Sequence, residues 1–282
     1  MTEPLSIKTV LEDASSRLRE RSESARLDAE LLLAQAIDMP RSYLFAHPED
    51  EPDAAALQRF EANLERRIAG QPMAYIQGVK EFWSMQLMVT PATLVPRPET
   101  EILVDLALRE IPRKAALRVL DLGTGSGAIA LAIAKERPLC DVTAIDVSED
   151  ALEVARQNAR QLELGNIRCL LGSWTEPVAN ERFDVIVSNP PYVRADDKAL
   201  DQLHAEPRSA LASGEDGLDD IRVVLREARE IVEPNGWVFL EHGSGQAADV
   251  EAICLRCAWI DIRCHNDYAG LPRVTVARSK KP

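Results

Sequence analysis

The 282-residue chain contains no apolar run approaching the ~18–20 residues that a membrane span requires. Its longest candidate, Ala128 to Ala134, stops at Lys135. The first residues, Met1-Thr2-Glu3-Pro4, lead into a charged amphipathic pattern without the apolar centre of a signal peptide. No membrane association is expected, and the protein is expected to be cytoplasmic. A basic surplus is also missing: 33 Lys and Arg stand against 46 Asp and Glu, a net charge of −13. Up to Tyr75 there are 9 basic and 14 acidic residues, and beyond it 24 and 32, so the acidity is spread along the chain. Phosphate neutralisation supplies much of the affinity of nucleic-acid binders. This balance points instead to a protein or small-molecule substrate. Repeats and low-complexity segments are absent. Cysteine is sparse and odd in number, five in all, which reads as reduced thiols. Cys254-x-x-Cys257 followed by Cys264-His265 has a faint zinc-site look. The first pair falls in a helical pattern and Cys264 in a strand-like run, where cysteine is an ordinary small buried residue. No second ligand pair has the needed spacing, so no metal is expected.

What is present suits one larger domain and a small one. Residues 1–75 read as a small helical bundle. Ser6 can cap a helix to about Arg21 with Ile7, Val10, Leu11, Ala14 and Leu18 on one face. Ala25 to Ile37 is a second helix. Pro40 can open a short third one in its first turn. Asp53 to Ala69 is a fourth, ended by Gly70 and Pro72. Residues 76–96 read as a hairpin and linker, with alternation around Phe82, Met85, Leu87 and Val89 and punctuation by Pro91 and Pro96. Over residues 97–282, Pro98-Glu99-Thr100-Glu101 opens a helix, and strands and helices then alternate. Strands fall at Leu117–Asp121, Asp141–Asp146, Ile167–Leu171, Phe183–Ser188 and Trp237–Glu241. Helices fall at Ala128–Glu136, Glu149–Leu162, Leu218–Val232 and Gln246–Ala258. Ile260–His265 and Arg273–Ala277 are strands with no helix between them. The pattern predicts an α/β fold with a mostly parallel, doubly wound sheet and a terminal antiparallel hairpin.

Two segments carry chemistry. The first is Asp121-Leu122-Gly123-Thr124-Gly125-Ser126-Gly127, a strand running into alternating glycines and a helix. Glycine permits a sharp turn and close approach of a ligand, at the strand ends where open α/β sheets bind ligands. Asp121 is placed to anchor the loop or a ligand amine. Asp146 ends the next strand, where a carboxylate suits ribose hydroxyls, while Ser148 can cap the following helix. Gly123-x-Gly125-x-x-Ala128 equally fits a dinucleotide fingerprint, so methyltransferase and dehydrogenase both remain open at this point.

The second segment is Asn189-Pro190-Pro191-Tyr192, directly after the buried strand Phe183–Ser188. Two prolines remove two backbone donors and fix the chain direction. Methyl transfer from a sulfonium is an in-line displacement, so the nucleophile must aim its lone pair along the methyl–sulfur axis. In a planar amide or aromatic amine that lone pair is delocalised. The Asn189 side-chain oxygen and the Pro190 carbonyl can hold the two N–H bonds of such an NH₂ group, with Tyr192 packed on its plane. A strong general base is unnecessary, because the proton can leave after the methyl arrives.

The glycine loop with Asn-Pro-Pro-Tyr resembles the amino- and amide-methylating Rossmann-like methyltransferases. The rest of the chain is similar to one family within them, the release-factor glutamine methyltransferases (PrmC, also called HemK). The matching stretches are Leu94 to Glu101, Ser188 to Tyr192, Glu206 to Leu211, Leu240 to Gly243 and Arg273 to Val276. The resemblance covers essentially the whole chain. It implies a Rossmann-like class I methyltransferase sheet behind a small N-terminal helical domain that serves substrate recognition. The implied cofactor is S-adenosylmethionine, converted to S-adenosylhomocysteine, and bound by Gly123, Thr124, Gly125, Ser126, Gly127 and Asp146. Trp174 would lie against the adenine, and Asn189 would reach the cofactor as well. Asn189, Pro190, Pro191 and Tyr192 would hold the substrate, the glutamine of the Gly-Gly-Gln motif in class I peptide chain release factors. Asn189, Pro190 and Tyr192 would be the catalytic set. Two positions depart from the family: Ser173 stands where Asp is frequent, and Gly270-Leu271-Pro272 replaces the usual Asn or Asp after glycine.

Three other readings compete. A methyltransferase acting on amino groups of RNA or DNA bases would use the same tetrapeptide, but no basic, aromatic-rich segment accompanies it. A nicotinamide-dependent oxidoreductase leaves residues 189–192 unexplained. A non-catalytic cofactor-binding protein has no need of an intact tetrapeptide. A monomer is expected.

Overall fold

The computed structural model describes residues 5–280, and the chain divides into two compact units, Met1–Gly78 and Val79–Pro282. The first is helical: α1 (Ile7–Leu18), α2 (Ala25–Ala36), α3 (Arg41–Ala46), α4 (Ala54–Ile68) and α5 (Met73–Gln77). Side-chain oxygens satisfy exposed amides at two of the helix starts. Ser6 accepts from the Thr9 amide and Asp53 from the Ala56 amide. The α1 face formed by Ile7, Val10, Leu11, Ala14 and Leu18 is buried, as its spacing predicts, and packs with Leu32, Leu33, Phe60 and Leu64. Pro40 stands at the N-cap of α3, one place before the first-turn position expected. Helix α5 is an addition to the expected set. It follows Pro72 and ends at Gly78, whose φ of 75° is a left-handed stop.

The second unit opens with the hairpin β1 (Val79–Phe82) and β2 (Met85–Met88). Its two turn residues, Trp83 and Ser84, have φ of 51° and 53°, the signs of a type I′ turn. Glu101 supports this unusual choice of residues by accepting from the Trp83 amide at 2.7 Å. After α6 (Thr100–Glu110) the alternation runs β3 (Arg118–Leu122), α7 (Ala128–Glu136), β4 (Asp141–Asp146), α8 (Glu149–Gln161), β5 (Ile167–Leu171) and β6 (Phe183–Ser188). It continues through α9 (Ala199–Gln202), α10 (Asp219–Ile231), β7 (Val232–Glu241), α11 (Ala247–Arg256), β8 (Trp259–Asn266) and β9 (Pro272–Ser279).

The seven strands lie in the order β5-β4-β3-β6-β7-β9-β8. All neighbours are parallel up to β7; β9 runs antiparallel to both β7 and β8. This is the Rossmann-like sheet with a terminal antiparallel hairpin. Two cores flank it. One gathers Val119 with the all-buried Ala, Ile and Leu of α7; the other gathers Leu120 and Leu122 with α10 and α11. The chain passes outward from β3 through β4 to β5, then returns to lay β6 on the other side of β3. Ligand sites of open sheets form at the carboxyl ends beside such a reversal.

Candidate active site

A cleft of about 610 Å³ opens at those carboxyl ends, within the 300–1,000 Å³ usual for small-ligand sites. The glycine loop after β3 forms its floor. Gly123, Gly125 and Gly127 have φ of 75°, 56° and 85°, which L side chains rarely adopt. The Gly123 and Thr124 amides both donate to the Ile145 carbonyl at 2.9 Å, which curls the loop over the end of β4. At Gly127 a Cβ would stand 2.9 Å from Leu131 Cδ1, so glycine is also needed there for space.

Two carboxylates shape the loop. Asp121 is fully buried; its Oδ2 accepts from the Thr124 hydroxyl at 2.6 Å and the Ala130 amide at 3.2 Å. Its Oδ1 is buried and accepts no hydrogen bond among the described residues. Burial pushes this carboxyl up to about 7, against those two bonds, and the nearby Asp146 adds to the rise. Asp146 accepts from the Gly125 amide at 2.8 Å and the Ser148 amide at 2.9 Å. Burial raises its pKa in spite of these bonds. Ser148 caps α8 through the Ala151 amide, so that task does not fall to Asp146. Beneath the loop, Asn158 of α8 accepts from the Met88 amide at 2.7 Å and donates to the Met88 and Ser126 carbonyls.

The structure brings most of the sequence-derived site residues to this cleft. Gly123, Thr124, Gly125, Ser126, Asp146, Trp174, Asn189 and Pro191 line it. Trp174, with φ of 46°, lies against the loop, since a Cβ on Gly123 would be 3.5 Å from its ring. Gly127 caps α7 just behind the wall. Pro190 is buried and Tyr192 half-buried, both outside the lining. Ser173 reaches the rim.

At the tetrapeptide, Asn189 Nδ2 donates to the Thr100 hydroxyl at 3.2 Å. The Tyr192 hydroxyl donates to Glu241 Oε1 at 3.3 Å. Burial and the neighbouring Glu241 raise the Tyr192 pKa, so it stays a neutral donor. Gln246 holds the turn from outside, donating to the Tyr192 carbonyl at 3.0 Å.

Sequence reasoning assigned no role to several residues found here. Pro91 to Leu94 and Pro96, in the expected linker, line the cleft, as do Arg97 and Thr100. Glu206, almost fully buried, accepts from the Val95 amide at 3.0 Å and pairs with Arg97. It thereby joins two of the motif stretches, 94–101 and 206–211. Two further motif stretches, 240–243 and 273–276, meet as neighbouring strands, with Leu240 opposite Thr275 and Glu241 opposite Val274. The signal for these residues lay in the motif stretches themselves; which side chains meet is set by the fold.

Comparisons with known proteins agree with this geometry. Residues 9–78 match the model of the PrmC N-terminal domain, and residues 113–267 match a methyltransferase domain. The release factor glutamine methyltransferase of Coxiella burnetii is 44% identical over 97% of this chain and 99% of its own. That of Escherichia coli is 41% identical over 95% and 97%. Among solved structures, a methyltransferase from Pyrococcus furiosus covers 79% of this chain and 98% of its own with a TM-score of 0.55; at 22% identity it speaks for the fold alone. Glycine loop, strand-end asparagine and full-length similarity thus converge, and the chain belongs to the release factor glutamine methyltransferase family.

Proposed function

We propose that this protein transfers the methyl group of S-adenosylmethionine to the side-chain amide nitrogen of the glutamine in the Gly-Gly-Gln motif of class I peptide chain release factors. The observation that carries this reading is the tie from Asn189 Nδ2 to Thr100. With its NH₂ end engaged there, the Asn189 side chain keeps its carbonyl oxygen available as an acceptor at the cleft wall. An acceptor in that place suits a substrate NH₂ group. The Pro190 carbonyl, which accepts no hydrogen bond among the described residues, is the second acceptor.

The cleft fits the cofactor by its chemistry. The loop leaves room for a ligand, with no atom within 4 Å of a Cβ built on Gly125. Asp146 stands at the end of β4 for ribose hydroxyls, and Trp174 offers a flat apolar wall beside the loop. Bound there, S-adenosylmethionine supplies an electrophilic methyl group on a sulfonium. Asn189 and Pro190 hold the two N–H bonds of the glutamine amide and turn its nitrogen toward that methyl. As the nitrogen–carbon bond forms and the carbon–sulfur bond breaks, positive charge develops on the nitrogen. The two acceptors stabilise that charge. One N–H proton then leaves to solvent, and S-adenosylhomocysteine remains. Tyr192 braces the turn through its bond to Glu241. The helical residues 1–75 contribute recognition of the protein substrate, and the enzyme works as a monomer.

The test uses radiolabelled S-adenosylmethionine with purified release factor and with the same factor lacking the Gly-Gly-Gln glutamine. Label on the first alone supports both reaction and site. Label on neither, with cofactor bound, overturns the substrate assignment and makes bulk RNA and DNA the next substrates. Removal of residues 1–75 is expected to weaken release-factor methylation more than cofactor binding; equal activity would refute the recognition role.

A further inference from the structure

Among the described residues Arg97 is the one cationic side chain that lines the cleft, against three carboxylates, those of Asp146, Asp150 and Asp220. Neither the sequence reading nor the reaction itself assigns it a task. Pro96 and Pro98 flank it and fix the direction of the chain on either side. Its Nη2 donates to Glu206 Oε1, and the Glu206 carboxylate is almost fully buried. The second Glu206 oxygen accepts from the Val95 amide at 3.0 Å, so the acid that braces Arg97 is itself held in place. Nε and Nη1 of Arg97 have no hydrogen-bond partner among the described residues, and the side chain is 36% exposed.

Backbone bonds set where Arg97 stands along the cleft. Its carbonyl accepts from the Thr100 amide at 3.1 Å, which puts it one turn ahead of Thr100 at the start of α6. The Thr100 hydroxyl accepts from Asn189, at the end of β6. Arg97 therefore belongs to the β6 end of the cleft and Asp146 to the β4 end. Those strands lie on either side of β3, about 10 Å apart.

We propose that Arg97, braced by Glu206, takes the carboxylate of the amino-acid arm of the cofactor. The inference rests on the reading of the cleft as a site for S-adenosylmethionine. The sulfonium of that molecule carries three arms. The adenosyl arm has Asp146 and Trp174, and the methyl group faces Asn189. The third arm, which ends in an ammonium and a carboxylate, is left the wall formed by residues 91–100. Carboxylates in the lining suit the sulfonium and the ammonium and repel the carboxylate. Arg97 offsets that repulsion, and the planar guanidinium fork matches a carboxylate in shape. Glu206 engages one of its nitrogens and leaves the others to donate.

The experiment measures, by titration calorimetry, the affinity for S-adenosylmethionine and for its decarboxylated form, which lacks the carboxylate alone. The parent protein is compared with Arg97→Met and Arg97→Lys. The parent is expected to bind S-adenosylmethionine about tenfold or more tightly than the decarboxylated form. R97M should lose that preference while its affinity for the decarboxylated form stays within about twofold of the parent. R97K keeps a charge beside Glu206 and should retain part of the preference, so the same difference can be read where R97M folds poorly. Equal affinity of the parent for the two ligands overturns the inference, as does a loss in R97M or R97K that falls equally on both. A raised KM for release factor with the preference intact would give Arg97 to the protein substrate and overturn it too. Binding of neither ligand by the parent would instead overturn the function proposed above, so the two failures are distinguishable.

Discussion

The helical unit satisfies both oxygens of its buried carboxylates, whereas the sheet unit does so for Glu206 and Asp267 but not for two others. In the helical unit Asp28 accepts from Ser22 and Arg67 on one oxygen and from Ser24 on the other. Glu30 accepts from Arg26 on one oxygen and Arg41 on the other. Burial pushes Glu30 upward, but the two arginines outweigh it and its pKa lies below the usual carboxylate range. In the sheet unit Asp121 and Glu241 each keep one oxygen without a partner, and burial carries both to about 7. A buried acid with both oxygens engaged is an element of architecture. One left short of partners marks where the fold has accepted a cost, and here both such acids adjoin the cleft residues.

The contrast can be tested from its largest effect to its smallest. Asn189→Ala should lower kcat by about 10²–10³-fold while leaving cofactor affinity less affected, since the lost acceptor acts on the nucleophile. Steady-state kinetics with unchanged turnover would sink the mechanism. Asp28→Ala should destabilise the helical unit by about 3 kcal/mol, because Arg67 is left partly buried without its partner. Denaturant unfolding would show this, and cofactor affinity should not move; the reverse pattern would dissolve the distinction between the units. Gly127→Ala should cost about 2 kcal/mol for a strained φ and the Leu131 clash, and a melt indistinguishable from the parent would refute the spatial argument.

Asp121→Asn, read as a difference in pH dependence, gives the clearest sign. The folded pKa of Asp121 lies above its unfolded value. As pH rises from about 4 toward 7, the unfolded state gives up its proton first and the parent loses stability. The variant lacks that loss. Its melting temperature relative to the parent should therefore climb between pH 5 and pH 8, and a flat or falling difference would contradict the assignment.

Much of this architecture was legible in the chain. The bounds of β4, β5, β6 and α7 coincide with those read from the sequence, because apolar runs there are closed by motif residues with strong local preferences. The β1–β2 turn was not sharply legible, since Trp83-Ser84 lacks the Asn or Gly that signals a type I′ turn and depends on Glu101 for support. Strand β7 begins at Val232, not Trp237, because Val232 already pairs with Phe183, and Pro234-Asn235-Gly236, which reads as a turn, bulges out before pairing resumes at Trp237 opposite Val185. Within the site, the glycine loop, Asp146 and the tetrapeptide announce themselves by local pattern. Thr100 and Glu241 do not. They lie 89 residues before and 49 residues beyond their tetrapeptide partners, so only the packed sheet makes them neighbours.

Asn158 carries a further consequence. One side chain clasps both backbone groups of Met88 and the carbonyl of Ser126, and so sews the hairpin edge to the loop that floors the cleft. Such a stitch cannot slip at one end alone. In native-state hydrogen exchange the Met88 amide and the amides of the glycine loop should open together, and a ligand that quiets the loop should quiet the distant hairpin to the same degree.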